Sequence, residues 1–258
     1  MNSSVETLPD TTLSDRRFAG VARLYGDAAF AAIRRAHVVI VGIGGVGSWA
    51  AESLARSGVG ALTLIDLDVV AESNLNRQAH ASLVNLGRNK VDAMRERILG
   101  FAPDCAVSVV DDFITPDNVA AVLPTGATAV IDAIDQVRAK AALVAHCVAQ
   151  QLPVIVCGAA GGKTDATSIR AADLTQTTND ALLAKLRGDL RKFYGFPRGE
   201  KKFGVSAIYS PSQQLGRAED AGAGLACAGY GSVMHMTAGL GLAASGELLR
   251  RIASDTNE

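Results

Sequence analysis

Four glycines, Gly42, Gly44, Gly45 and Gly47, separate an apolar run, His37 to Val41, from a stretch with helical spacing, Ser48 to Ser57. No other feature narrows the fold as much. Val38 to Val41 has the length and branching of a buried strand, and Trp49, Ala50, Leu54 and Ala55 mark the packing face of the helix. Glycine between them lets the chain turn sharply and lets its backbone approach a phosphate. The phosphate charge is then met by free N–H groups and the positive end of the helix dipole. Asp66 closes the next apolar run, Ala61 to Ile65, at the distance where a carboxylate accepts hydrogen bonds from ribose hydroxyls. Strand, glycine turn, helix, strand and acid, in that order, predict a nucleotide site.

Further strand-like runs at Val107 to Val110, Ala129 to Ile131 and Pro153 to Cys157 alternate with helix-length segments around Lys90, Asp117 and Arg138. That alternation predicts an α/β fold, a Rossmann-like, mainly parallel sheet with helices on both faces. After Gly158 to Gly162 the rhythm changes to a short strand, Ser168 to Ala172, a charged helix, Asn179 to Tyr194, a strand, Gly204 to Tyr209, and a Gly- and Ala-rich C-terminal helix. This reads as a C-terminal α+β extension of the same domain. The expected organisation is a polar tail over 1–15 and one domain over 16–253, with a nucleotide-binding half to about 160 and a substrate and dimer half over about 161–253.

A chain of 258 residues that is 48% apolar can bury such a core. A net charge of −1 gives no bulk attraction to nucleic acid, so any such surface must be a local patch. Cys105, Cys147, Cys157 and Cys227 are scattered without a C-x-x-C pair, which argues against zinc and against a disulfide framework. The first residues lack a basic region followed by an apolar core, which predicts a cytoplasmic protein.

The glycine motif alone suits an NAD or FAD enzyme as well. Residues downstream of Asp66 shift the reading. Arg77 sits among Asn74, Asn76 and Gln78, and Lys90 opens a helix whose apolar face carries Val91, Met94 and Ile98. A glycine loop already handles a dinucleotide pyrophosphate, whereas two further cations suit a triphosphate whose pyrophosphate must be neutralised as it leaves. Asp132 and Asp135 come at the carboxyl end of the fourth strand, the edge where open α/β sheets bind ligands. A carboxylate there can hold Mg2+ against phosphate oxygens. Asp132 has the alternative of capping the next helix, and Arg77 that of pairing with Asp68.

The segments GIGGVGSWAAESLARSGVG, DLDVVAESNLNRQAHA, VVDDFITPDNVA and VIDAIDQVRAKAAL, within Phe18 to about Gly246, resemble the ubiquitin-activating-like adenylating superfamily of ThiF and MoeB type. Within it they look closest to the branch of tRNA threonylcarbamoyladenosine dehydratases. The resemblance implies an enzyme that uses ATP to adenylate a carboxylate on a modified adenosine beside the anticodon, which then cyclises. It assigns phosphates to Gly42, Gly44, Gly45 and Gly47, ribose to Asp66, triphosphate to Asn74, Arg77 and Lys90, and Mg2+ to Asp135. Arg77, Lys90 and Asp135 become the expected catalytic residues, with Asp68, Asn76, Gln78, Asp132 and Gln136 as further nucleotide contacts. It also implies a homodimer, the tRNA anticodon arm as partner, and sulfur-transfer proteins as associates. An arginine that reaches the partner's ATP in relatives has no aligned counterpart here, since Gly20 stands there, so Arg17 or Arg23 is expected to substitute. Gln136 replaces the usual asparagine, and the paired zinc cysteines of sulfur-carrier activators are missing. The other reading of the same chemistry is adenylation of a small ubiquitin-like or sulfur-carrier protein.

Three features have two readings each. Cys157 and Cys227 invite thioester chemistry, yet an apolar strand end and a Gly/Ala-rich segment suit buried thiols, and an intramolecular cyclisation requires no enzyme nucleophile. Lys185, Arg187, Arg191, Lys192, Arg198, Lys201 and Lys202, interleaved with Phe193, Tyr194, Phe196 and Phe203, form either an RNA-binding patch or a solvated helix and loop. From Ala221 to Gly246 no Asp, Glu, Lys or Arg occurs, and the Gly and Ala content favours close helix packing or a dimer seam over a membrane span.

Overall fold

The computed structural model describes residues 11–216 and 230–254, with side chains from residue 16 onward. Cys227 and part of the uncharged stretch therefore lie outside the described residues. The elements, in chain order, are α1 Thr11–Tyr25, α2 Asp27–Arg35, β1 His37–Val41, α3 Gly47–Arg56, β2 Ala61–Ile65, α4 Lys90–Leu99, β3 Ala106–Val110, α5 Val119–Val122, β4 Ala129–Asp132, α6 Val137–Ala149, β5 Val154–Cys157, β6 Arg170–Asp173, α7 Ala181–Phe193, β7 Ser206–Tyr209 and α8 Met234–Ser254. Helix α1 begins inside the stretch read as a polar tail.

The strands form one seven-stranded sheet in the order β3-β2-β1-β4-β5-β7-β6. Every pair is parallel except β6 with β7. Alternation along β1 explains why its sequence is apolar throughout: Val38 and Ile40 enter the core shared with α2, α3, α4 and α8. Val39 and Val41 enter the core shared with α6 and α7. A strand covered on both faces has no polar side. The expected C-terminal extension is part of the same sheet, since β7 pairs with β5 and β6 closes the edge.

Strand boundaries shift where side chains capture the backbone. Asp165 accepts the Thr167 N–H at 3.0 Å, which winds residues 166–168 into a 3-10 turn and delays β6 to Arg170. Gly204, at φ +74, gives its N–H to Asp173 Oδ2 at 2.8 Å, so β7 starts at Ser206. Around Asp117 only a single helical turn, Val119–Val122, forms.

Helix α8 lies against α3 at a distance only glycine permits. A Cβ on Gly241 would stand 2.3 Å from the Val46 carbonyl oxygen. Beside it Ser245 Oγ donates to Ser53 Oγ at 2.7 Å. Among the described residues no helix is long and apolar enough to cross a membrane. The apolar C-terminal segment, as far as it is described, is spent on the core.

Because β1 pairs with β2 on one side and β4 on the other, chain direction around the sheet reverses between β1 and β4. Their carboxyl ends open a crevice there.

Candidate active site

That crevice is a cavity of about 370 Å³. Its walls gather Gly42, Gly44, Gly45, Asp66, Asp68, Asn74, Arg77, Gln78, Lys90, Asp135 and Gln136 from the expected set. Gly47, Asn76 and Asp132 are not among its lining residues.

Gly42 leaves β1 at φ +88, and a Cβ there would lie 3.0 Å from the Ala133 carbonyl. Gly47 supports the cradle from behind: its Cβ would fall 1.9 Å from the Gly42 oxygen. The turn is thus built on the absence of side chains, and Gly44, Gly45 and Val46, which lead into α3, line the cavity.

Asp66 joins the cradle to the second strand. Its Oδ2 accepts the Ile43 N–H at 2.6 Å and its Oδ1 the Asp68 N–H at 2.8 Å. Burial pushes its pKa up, against the pull of Lys90 and of the two amides. Lys90, 6% exposed, is placed by its position at the start of α4 and by its N–H donating to Asp68 O at 3.0 Å. Its ammonium is 2.5 Å from Asp68 Oδ2 and 3.9 Å from Asp66 Oδ1. The acid that engages a cation here is therefore Asp68 with Lys90, not with Arg77.

Arg77 has no ion pair among the described residues. Its Nη1 donates to Ser73 O at 2.7 Å and Asn76 Oδ1 at 2.9 Å, while Trp49 Nε1 donates to Arg77 O at 2.8 Å and ties the turn to α3. Its side chain lies over the cradle, with Cγ 3.2 Å from where a Gly45 Cβ would be. Asn76 Nδ2 donates to Ser232 O at 2.9 Å. Asn74 Oδ1 accepts the Ala71 N–H at 3.0 Å, holding the turn that presents Arg77.

The two acids after β4 have separate environments. Asp132 is fully buried and paired with the equally buried Lys140 at 2.9 Å. Asp135 is exposed on the cavity wall with no hydrogen-bond or ion-pair partner among the described residues. Composition and spacing do not separate them; the turn between them does. Lys140 was missed at the sequence level, although a lysine on the apolar stripe Ala139, Leu143, Val144, Cys147 signals a buried partner. Phe113, Ile114, the loop Cys157 to Gly161 and Thr237, which packs against Gly45, also line the cavity and were not singled out for nucleotide contact either.

Cys157 borders the cavity but is 2% exposed, and burial pushes its thiol up to about 12. Such a thiol is not a nucleophile at neutral pH. Arg17 lies away from the cavity, its Nη1 3.0 Å from Phe101 O and its Nη2 2.7 Å from Asp104. Arg23 is exposed on α1 and does not line the cavity either.

The basic window divides. Arg187 donates to Leu174 O and to Thr177 Oγ1, and Arg191 donates to Pro197 O while lying 5.3 Å over the Phe203 ring. Both are used internally. Lys185, Lys192, Arg198, Lys201 and Lys202 are exposed. Phe193 stands 63% exposed with the Lys192 ammonium 4.7 Å from its ring centre.

The ThiF family model matches residues 16–256. The chain is 44% identical over 253 residues to the tRNA threonylcarbamoyladenosine dehydratase of Escherichia coli, covering 92% of this chain and 93% of that protein. It is 43% identical over 244 residues to the Haemophilus influenzae protein of the same name, covering 92% and 94%. The crystal structure of the Escherichia coli dehydratase in complex with ATP superposes with a TM-score of 0.88 at 43% identity, covering 97% of this chain and 98% of that one.

Proposed function

The chain belongs to the ThiF family, and on that premise we propose that it cyclises N6-threonylcarbamoyladenosine in tRNA by adenylating its carboxylate with ATP. The observation that carries the ATP chemistry is the convergence of Arg77, Lys90 and Asp66 on a glycine cradle at the β1/β4 crevice. The tRNA substrate rests on near-full-length likeness to the dehydratases.

In this reading Asp66 accepts the ribose hydroxyls, and the cradle amides and Arg77 hold the phosphates. The substrate carboxylate attacks the α-phosphorus, pyrophosphate leaves toward Arg77 and Lys90, and an internal nucleophile of the threonylcarbamoyl side chain then closes on the activated carbonyl with release of AMP. No enzyme thiol takes part, in keeping with the buried Cys157. Lys90 reaches phosphate by exchanging one anion, Asp68, for another.

The donor set fits Mg2+. Asp135 offers an unpartnered carboxylate on the cavity wall, and Mg2+ takes one or two protein carboxylates beside substrate phosphates and water. The ion would screen the phosphate oxygens from the incoming anion.

The residues to about 160 supply most of the nucleotide site and those beyond the substrate surface, with a second copy of the chain meeting both halves. Lys185, Lys192, Arg198, Lys201 and Lys202 with Phe193 face the anticodon arm, phosphates meeting cations and an unstacked base meeting the ring. A homodimer is supported by Leu83 and Val84, 75% and 87% exposed on the turn after Gln78. The reading also places the protein in the cytoplasm with sulfur-transfer proteins as associates.

Nucleoside mass spectrometry of tRNA incubated with protein, ATP and magnesium tests the proposal. The cyclic nucleoside and stoichiometric AMP are expected. Pyrophosphate exchange that ignores this tRNA and needs a sulfur-carrier protein would overturn the substrate.

A further inference from the structure

Lys140 is buried beside the crevice, at 0% side-chain exposure, and no step of the chemistry above uses it. Its ammonium has three protons and meets three oxygens: Asp132 Oδ1 at 2.9 Å, Asp132 O at 3.1 Å and Ile134 O at 3.0 Å. All three belong to the turn that leaves β4 and ends at Asp135 and Gln136. The Ile134 N–H closes the same turn onto Asp132 Oδ1 at 3.1 Å. Ala133, between them, gives its N–H to Val41 O at 2.9 Å and stands where a Gly42 Cβ would fall. One buried group thus fixes the seat of Asp135 and the outer wall of the glycine cradle.

We infer that Lys140 is a positioning residue for the nucleotide site, its ammonium holding the turn 132–135 in the shape that sets the Asp135 carboxylate against the phosphates. Asp132 Oδ2 has no partner among the described residues, so the pair is incompletely satisfied and would be exchanged for apolar side chains if packing were its only role. What an apolar pair cannot do is tie two backbone carbonyls to one point. Asp135 itself has no side-chain tether among the described residues, so its position is only as firm as that turn.

The inference rests on the ATP reading of the site, and the experiment separates the two. ATP binding is titrated calorimetrically with and without magnesium for the unaltered protein, Asp135→Ala, the double variant Asp132→Asn/Lys140→Met, and all three changes combined. Replacing both members of the buried pair avoids stranding a charge, so the double variant is expected to melt near the unaltered protein. It is expected to bind ATP in magnesium at least tenfold more weakly, with Asp135→Ala adding little to that loss. Unaltered affinity in the folded double variant, or losses that multiply with Asp135→Ala, would overturn the inference while leaving the ATP site intact. Should the double variant not fold, Lys140→Arg keeps the buried charge but moves the donors. Its loss is expected to merge with that of Asp135→Ala, and full multiplication overturns the inference there too. An unaltered protein whose ATP binding ignores magnesium sinks the inference together with the metal reading.

Discussion

Lys90 Nζ lies 2.5 Å from Asp68 Oδ2, a pair in which the lysine is buried and the aspartate half in solvent. The ammonium is thus held at the crevice with its charge balanced from the outer side. Replacing Lys90 with Met is expected to lower turnover by roughly 10²- to 10³-fold, the usual cost of losing one charge-stabilising donor. Asp68→Asn is expected to leave turnover within a few fold of normal, because phosphate replaces the partner it removes. Single-turnover AMP formation checks both, and equal damage from the two variants would argue that the pair is structural.

Acid should destabilise the fold through His80. It is 2% exposed, neither ring nitrogen has a partner among the described residues, and its pKa is lowered from 6.5 to about 4 by burial first and by Lys90 and Arg97 after that. A depressed folded value means that the unfolded chain binds the proton first. The stabilisation is therefore complete above pH 6.5 and is lost as pH falls through that window toward 4. The loss amounts to on the order of 3 kcal/mol. Denaturant titrations at several pH values should show it, and His80→Leu should flatten the dependence.

Gly47→Ala should disable the cradle. The new Cβ would meet a backbone oxygen at 1.9 Å, so the strand exit or the start of α3 would have to shift. A cost of about 3 kcal/mol or more is expected, which lowers the melting temperature by roughly 6–12 °C. Gly44→Ala, whose nearest neighbour is 4.0 Å away, is the control, expected to fold normally.

The basic window should answer mutation in two ways. A triple change of Lys185, Lys192 and Lys201 to Ala is expected to weaken tRNA binding and reduce its salt dependence by about one unit of slope per lysine, with ATP affinity unchanged. Arg187→Ala removes the donor that serves Leu174 O and Thr177 Oγ1 and is expected to cost about 1–3 kcal/mol of stability. Filter binding across a salt series, set beside thermal melts, distinguishes these outcomes. A triple variant with unchanged salt slope would remove the patch from the RNA interface.

Much of the frame was legible in the chain itself, since its signals are local and periodic. Apolar runs that admit no polar side announced strands covered on both faces, and glycines between strand and helix announced a turn without side chains. The order of Asp66, Arg77, Lys90 and Asp135 along that frame was enough to bring them to one edge, because a parallel sheet delivers every strand end to the same side. Local capture of backbone by Asp165 and Asp173 moved the ends of β6 and β7, a matter of single hydrogen bonds that periodicity does not register.

What tertiary structure alone decided was the fate of groups of like charge. Asp132 and Asp135 are three residues apart in one motif, yet one is sealed against Lys140 and the other faces the cavity. Arg187 and Lys192 share one helix, yet one serves a carbonyl and a hydroxyl inside and the other an exposed ring. Sequence determined which charges this protein carries and to which edge of the sheet they come. Whether each charge meets a buried partner or a ligand depends on which way a turn or helix face points once distant segments have packed against it, and that is a property of the assembled fold.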